Sequence, residues 1–111
     1  MRRALALALL LCSCTTIDAG NRVNSWPELK VRVHEVEGWE LHQHCASTVS
    51  VFDMALGCAW IDLNARTCDI YISSPPQDFV LQHELAHCAG MEHPGEDTLH
   101  KMYANWKASH K

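Results

Sequence analysis

Residues 83–93 read His83-Glu84-Leu85-Ala86-His87-Cys88-Ala89-Gly90-Met91-Glu92-His93, an HExxHxxGxxH pattern whose spacing can do chemistry. On a helix, residues four apart share a face, so His83 and His87 can aim both imidazoles at one metal ion. Glu84 lies about 100° round the helix from His83. It is badly placed to be a ligand beside both histidines, yet its carboxylate can reach a water held by the same ion. Gly90 accepts the positive φ of a helix C-terminus, and a sharp turn there brings His93 back towards the metal. Three neutral imidazoles and an open fourth position describe a catalytic zinc site, not a closed structural one. His34, His42, His44, His100 and His110 lie outside the pattern. His42 and His44 would share one side of a strand and allow a second metal site, but surface histidines in a His-rich chain are the simpler reading.

Such a site needs a helix held against a sheet. The run 79–89 contains no helix breaker until Gly90, Ser74 or Asp78 can serve as N-cap, and Pro75 and Pro76 suit a first turn. Upstream, Leu29, Val31 and Val33 alternate with Lys30, Arg32 and His34, the period of a strand with one buried face, which Gly38 ends. Residues 39–46 suggest a short helix, 48–54 and 58–63 two strands, and 64–67 a turn. A strand at 68–72 follows from its β-branched and aromatic content, and Pro75 and Pro76 stop it. After the active-site helix comes an irregular tail with one short helix at 104–109. The expected class is α+β, a small and mostly antiparallel sheet packed on one central helix. Trp26, Trp39, Trp60 and Trp106 read as core or rim packing.

The chain has 111 residues, room for one domain at most. Its formal charge of -4 offers no basic field for nucleic acid, and 48% hydrophobic content argues against wholesale disorder. Arg2 and Arg3 precede an apolar run at 4–11 and then Cys12-Ser13-Cys14, the layout of an export signal. At about 1.5 Å per residue that run reaches roughly 12 Å as a helix, far short of a bilayer's hydrocarbon core. Leu11-Cys12-Ser13-Cys14 also resembles a bacterial lipobox, with Cys14 as the acylated residue. An ordinary signal peptide cleaved near Ala19 is the alternative. The expected organisation is a lipoprotein signal at 1–13, a tether at 14–27 and a domain at 28–111. Thr15, in place of an Asp that would retain the protein at the inner membrane, points to the outer membrane, with a soluble periplasmic protein as the alternative. Cys45, Cys58, Cys68 and Cys88 then form an even set that reads as two disulfides in an exported chain. Three pairings are open. Cys58 with Cys68 is the local option and would leave Cys45 to Cys88. A cysteine-rich zinc site is disfavoured because the chain has no C-x-x-C pair.

The segment 83–93 resembles the active-site signature of the metzincin zinc peptidases. Met102-Tyr103 is also similar to the Met-Tyr pair that forms the Met-turn of matrix metalloproteinases. The resemblance covers 83–103 strongly, the preceding strand weakly and nothing before about residue 50. It implies a minimal zincin-like domain of bacterial or phage type, with one catalytic Zn2+ on His83, His87 and His93. It also implies zinc-bound water as nucleophile on a peptide carbonyl, with Glu84 as the general base that later returns the proton to the leaving amine. By the same analogy Asp69, Ile70, Tyr71 and Ile72 form an edge strand that pairs with an extended substrate, and Met102 supplies the Met-turn. Tyr103, adjacent to the methionine, suits packing better than catalysis. The expected function is a zinc-dependent metalloendopeptidase of the bacterial envelope. Its expected partners are a peptide or protein substrate and the membrane through the lipid anchor alone, with no nucleic acid, and the chain a monomer. The alternative is a periplasmic zinc-binding lipoprotein without activity; a store has no need of Glu84 or of an open coordination position. A structural envelope protein that uses zinc only to stabilise its fold is a third class.

Overall fold

A computed structural model of the protein describes residues 21–46 and 56–110. Its elements are β1 (Lys30–Val36), α1 (Gly38–Cys45), β2 (Gly57–Asp62), β3 (Thr67–Ser73), α2 (Asp78–Cys88) and α3 (Thr98–Ser109). This is an α+β fold. The expected strand at 48–54 lies outside the described residues.

The three strands form one sheet in the order β1-β3-β2, with β1 parallel to β3 and β2 antiparallel to it. The sheet is therefore mixed, where a mostly antiparallel one was expected. Its central strand has the strictest alternation: Cys68, Ile70 and Ile72 are all at most 1% exposed, and their neighbours are half-buried. Burying each isoleucine stabilises the fold by about 1.5–3 kcal/mol relative to leaving it in water. These side chains meet Leu29, Leu63, Val80 and Cys88 on the α2 face of the sheet. The opposite face carries a smaller cluster of Leu41, Cys45 and Cys58 beneath α1, so the sheet lies between two helices. Val31 and Val33 were expected to be buried, but they are 40% and 45% exposed, because α2 packs on β2 and β3 and leaves the β1 end uncovered.

Disulfides join Cys45 to Cys58 and Cys68 to Cys88. The local pairing of Cys58 with Cys68, and with it Cys45 to Cys88, is excluded by the register. Cys58 lies opposite Tyr71 and Cys68 opposite Ile61, so the two thiols are three positions apart along the ladder. That is roughly 10 Å, beyond disulfide reach, and an odd offset also puts them on opposite faces.

Residues 21–27, read as part of a tether, pack on the domain instead. Val23 is buried, Arg22 forms an antiparallel bridge with Met91, and the Trp26 indole N–H donates to the Cys88 carbonyl at 2.9 Å. A composition rich in Asn and Ser suggests a linker only while nothing binds its backbone. Here the residues after α2 do so.

Candidate metal centre

The N-cap of α2 is Gln77, without a side-chain capping bond, so neither Ser74 nor Asp78 caps the helix; Asp78 is its first residue, where a negative charge suits the helix dipole. Val80, Glu84 and Cys88 form the buried stripe of the helix. His83 and His87 lie one step round and stay half-exposed. The helix stops at a Schellman motif: the Gly90 amide donates to the His87 carbonyl and the Met91 amide to the Ala86 carbonyl, with Gly90 at φ +88°. A β-carbon at Gly90 would also lie 2.6 Å from the Trp26 ring. The sharp stop expected at Gly90 is present for both reasons.

His93-Pro94-Gly95-Glu96 follows as a second tight turn. Pro94 fixes the first central φ, Gly95 takes φ +82°, and the Glu96 amide closes the turn on the His93 carbonyl at 3.1 Å, as in a type II turn. His93 thereby returns to the helix. Its Nε2 lies 3.0 Å from His83 Nε2, and His87 Nε2 lies 3.2 Å from the same atom. One ligand atom from each of the three residues fits within 4.8 Å, so His83, His87 and His93 could together hold a metal ion.

The outer ring nitrogens of His87 and His93 are engaged. His87 Nδ1 lies 2.8 Å from the Met91 carbonyl, which can only accept, so Nδ1 carries the proton and Nε2 keeps its lone pair. His93 Nδ1 bonds the Glu96 carboxylate in the same sense. Burial pushes His83 down to about 4, and the neighbouring His87 and His93 push in the same direction. His87 is also lowered, by burial that outweighs its bond to the Met91 carbonyl. Neutral imidazoles are the form that binds metal. Glu84, 6% exposed, makes no hydrogen bond or ion pair with the described residues, and burial pushes its carboxyl up to about 7.

Not every expected site residue joins this cluster. Asp69, Ile70, Tyr71 and Ile72 belong to β3, whose two edges are already paired with β1 and β2, so they cannot add a substrate strand. Ile70 and Ile72 are core residues. Met102 lies within α3 and packs against the main core cluster, so it forms no Met-turn. Tyr103 packs beside Trp26 and Trp106. His42 and His44 lie on α1, not on a strand, so about 200° separates them, and the His44 ring stacks on Tyr71. Cys14 lies outside the described residues. A groove of about 780 Å3 lined by Trp60, Asp62, Asn64, Met102 and Trp106 excludes the three histidines.

Three supporting residues were missed in the sequence. Glu96 orients His93, and its signal was legible, since Pro94-Gly95 marks a turn that brings the residues on either side together. Glu92 is buried and accepts the Leu99 amide at 2.7 Å and the His100 ring at 2.6 Å. Asn21 bonds the His93 and Glu96 carbonyls from 72 and 75 residues away, which no local pattern announces.

No family model matches this chain, and no curated protein or solved structure matches it either.

Proposed function

We propose that this chain is a zinc-dependent metalloendopeptidase of the metzincin type, acting on peptides or proteins in a bacterial envelope. The observation that carries the reading is the convergence of the His83, His87 and His93 imidazoles on one point, with Glu84 on the same helix. Zinc fits the donor set. Zn–N bonds of about 2.0–2.1 Å in a tetrahedron set ligand nitrogens roughly 3.3 Å apart, close to the 3.0 and 3.2 Å separations here. Three neutral nitrogens also leave a position for water or substrate.

A bound zinc ion would supply Lewis-acid polarisation of a peptide carbonyl and acidify water at neutral pH. His83, His87 and His93 would hold it. The Glu84 carboxylate takes one proton from the attacking water as its oxygen bonds the carbonyl carbon, and gives that proton to the amide nitrogen as the C–N bond breaks. Burial of Glu84 keeps competing solvent from its carboxylate. The two disulfides support an oxidising compartment, in keeping with export and with an outer-membrane anchor at Cys14.

The test is Glu84→Gln in the purified, zinc-loaded chain. Zinc content and melting temperature should stay near wild type, while cleavage of a peptide library should fall by at least the roughly 10²–10⁴-fold typical of a lost general base. Equal cleavage by both forms would remove Glu84 from the mechanism. A wild type that retains zinc and cleaves nothing would make the chain a zinc-binding protein.

A further inference from the structure

We infer that Asn21 is a positioning residue for the third metal ligand, an inference that rests on His83, His87 and His93 binding metal and not on peptidase activity. The Asn21 side-chain amide donates to the His93 carbonyl at 2.8 Å and to the Glu96 carbonyl at 3.1 Å. Both acceptors are oxygens, so the amide nitrogen must be the atom that faces them, and both of its protons are used. The Asn21 backbone carbonyl meanwhile accepts the Glu92 amide at 3.1 Å. One residue thus holds both ends of the turn 93–96 and the segment that leads into it.

That turn carries two linked parts of the site. His93 offers Nε2 to the cluster, and the Glu96 carboxylate accepts the proton of His93 Nδ1. The direction of the ring therefore depends on the separation of the two ends of the turn, which the Asn21 amide spans. Its own hydrogen bond, from the Glu96 amide to the His93 carbonyl, leaves the other lone pair of that carbonyl for Asn21. Aspartate has no donor for this position, serine has one, and glutamine is a methylene too long. The backbone anchors Asn21 in turn, through the Val23 amide that donates to the Gly90 carbonyl at 3.0 Å whatever the side chain at position 23, while the buried Val23 side chain contributes packing alone.

Groups that orient a metal ligand from outside the coordination sphere typically change metal affinity by about 10–100-fold when lost. The test compares Asn21→Leu, similar in volume but without donors, with Val23→Ala, which loosens the same segment but removes no bond to the turn. Zinc affinity is read by competition with a chromophoric chelator, and ligand geometry by the visible spectrum of the cobalt-loaded full chain. Asn21→Leu should weaken zinc by about 10–100-fold and alter the cobalt spectrum. Val23→Ala should lower the melting temperature with affinity and spectrum unchanged. Should Asn21→Leu fail to fold, Asn21→Ala makes the same comparison. Unchanged affinity and spectrum in the Asn21 variant, or an equal loss in Val23→Ala, would overturn the assignment. A wild type that binds neither metal would overturn the metal reading itself.

Discussion

Asp69 shows how one carboxylate in β3 can gather charge without belonging to a catalytic site. Arg32 grips it through Nε at 2.8 Å and Nη2 at 2.7 Å, and His34 Nε2 adds a third contact at 2.8 Å. The Arg32 hydrogen bond, followed by that of His34, holds the Asp69 carboxyl below its ordinary range. A depressed folded-state pKa stabilises the protein above the unfolded value and ceases to do so as pH falls through the folded value. Asp69→Asn should therefore be less stable than wild type at neutral pH, with the gap closing below about pH 4. Urea unfolding from pH 2.5 to 7 checks this, and a gap independent of pH would disprove it. Solvent screens these partly exposed groups, so the effect is small.

Among the elements, α3 owes its start to a residue outside the helix. A short helix at 104–109 was the expectation, but it begins at Thr98 because the Glu92 carboxylate accepts the Leu99 amide at 2.7 Å and the His100 amide at 3.3 Å. These are amides of the first turn, which have no partner within the helix. Burial alone would raise the Glu92 carboxyl, but the His100 ring and the two amides together hold it below its ordinary value. Asp97, the N-cap by position, makes no side-chain capping bond. Glu92→Ala should cost about 1–3 kcal/mol, as for buried donors left unpaired, and lower the helical circular dichroism. An unchanged denaturation midpoint with full helicity would show that Asp97 or water replaces the cap.

For the whole molecule, the two disulfides act on opposite faces of one small sheet. Cys45–Cys58 ties α1 to β2, and Cys68–Cys88 ties β3 to the end of α2, one residue beyond His87. Their sequence separations, 13 and 20, correspond to about 3 kcal/mol each in the chain-entropy account. A core this small needs such links. Peptide mapping without reduction should find these two pairs and no free thiol among the four cysteines. A Cys58–Cys68 peptide would contradict the register. Removing Cys68–Cys88 as a double serine variant should lower the melting temperature more than any surface substitution and weaken metal binding as well, because it frees the C-terminal turn of α2. A peptide that pairs with the sheet must add at β1 or β2, since β3 is closed on both sides.

Short-range periodicity was enough to place much of this protein. The i, i+4 spacing of His83 and His87, the stop at Gly90 and the β-branched and aromatic content of the strand at 68–72 each depend on neighbours within a turn or a strand, and geometry at that range follows from residue type. Tertiary structure decided what depends on partners far apart in the chain. Strand order put β3 in the centre and removed Asp69, Ile70, Tyr71 and Ile72 from any substrate edge. Register paired Cys45 with Cys58 and Cys68 with Cys88, because which face a thiol occupies is known only once the strands are aligned. Helix capping by Glu92 carried Met102 into a continuous helix, away from any Met-turn. Asn21, read as part of a tether, holds the His93 turn because the hydrogen-bonding groups of an isolated segment do not reveal which distant carbonyls will meet them.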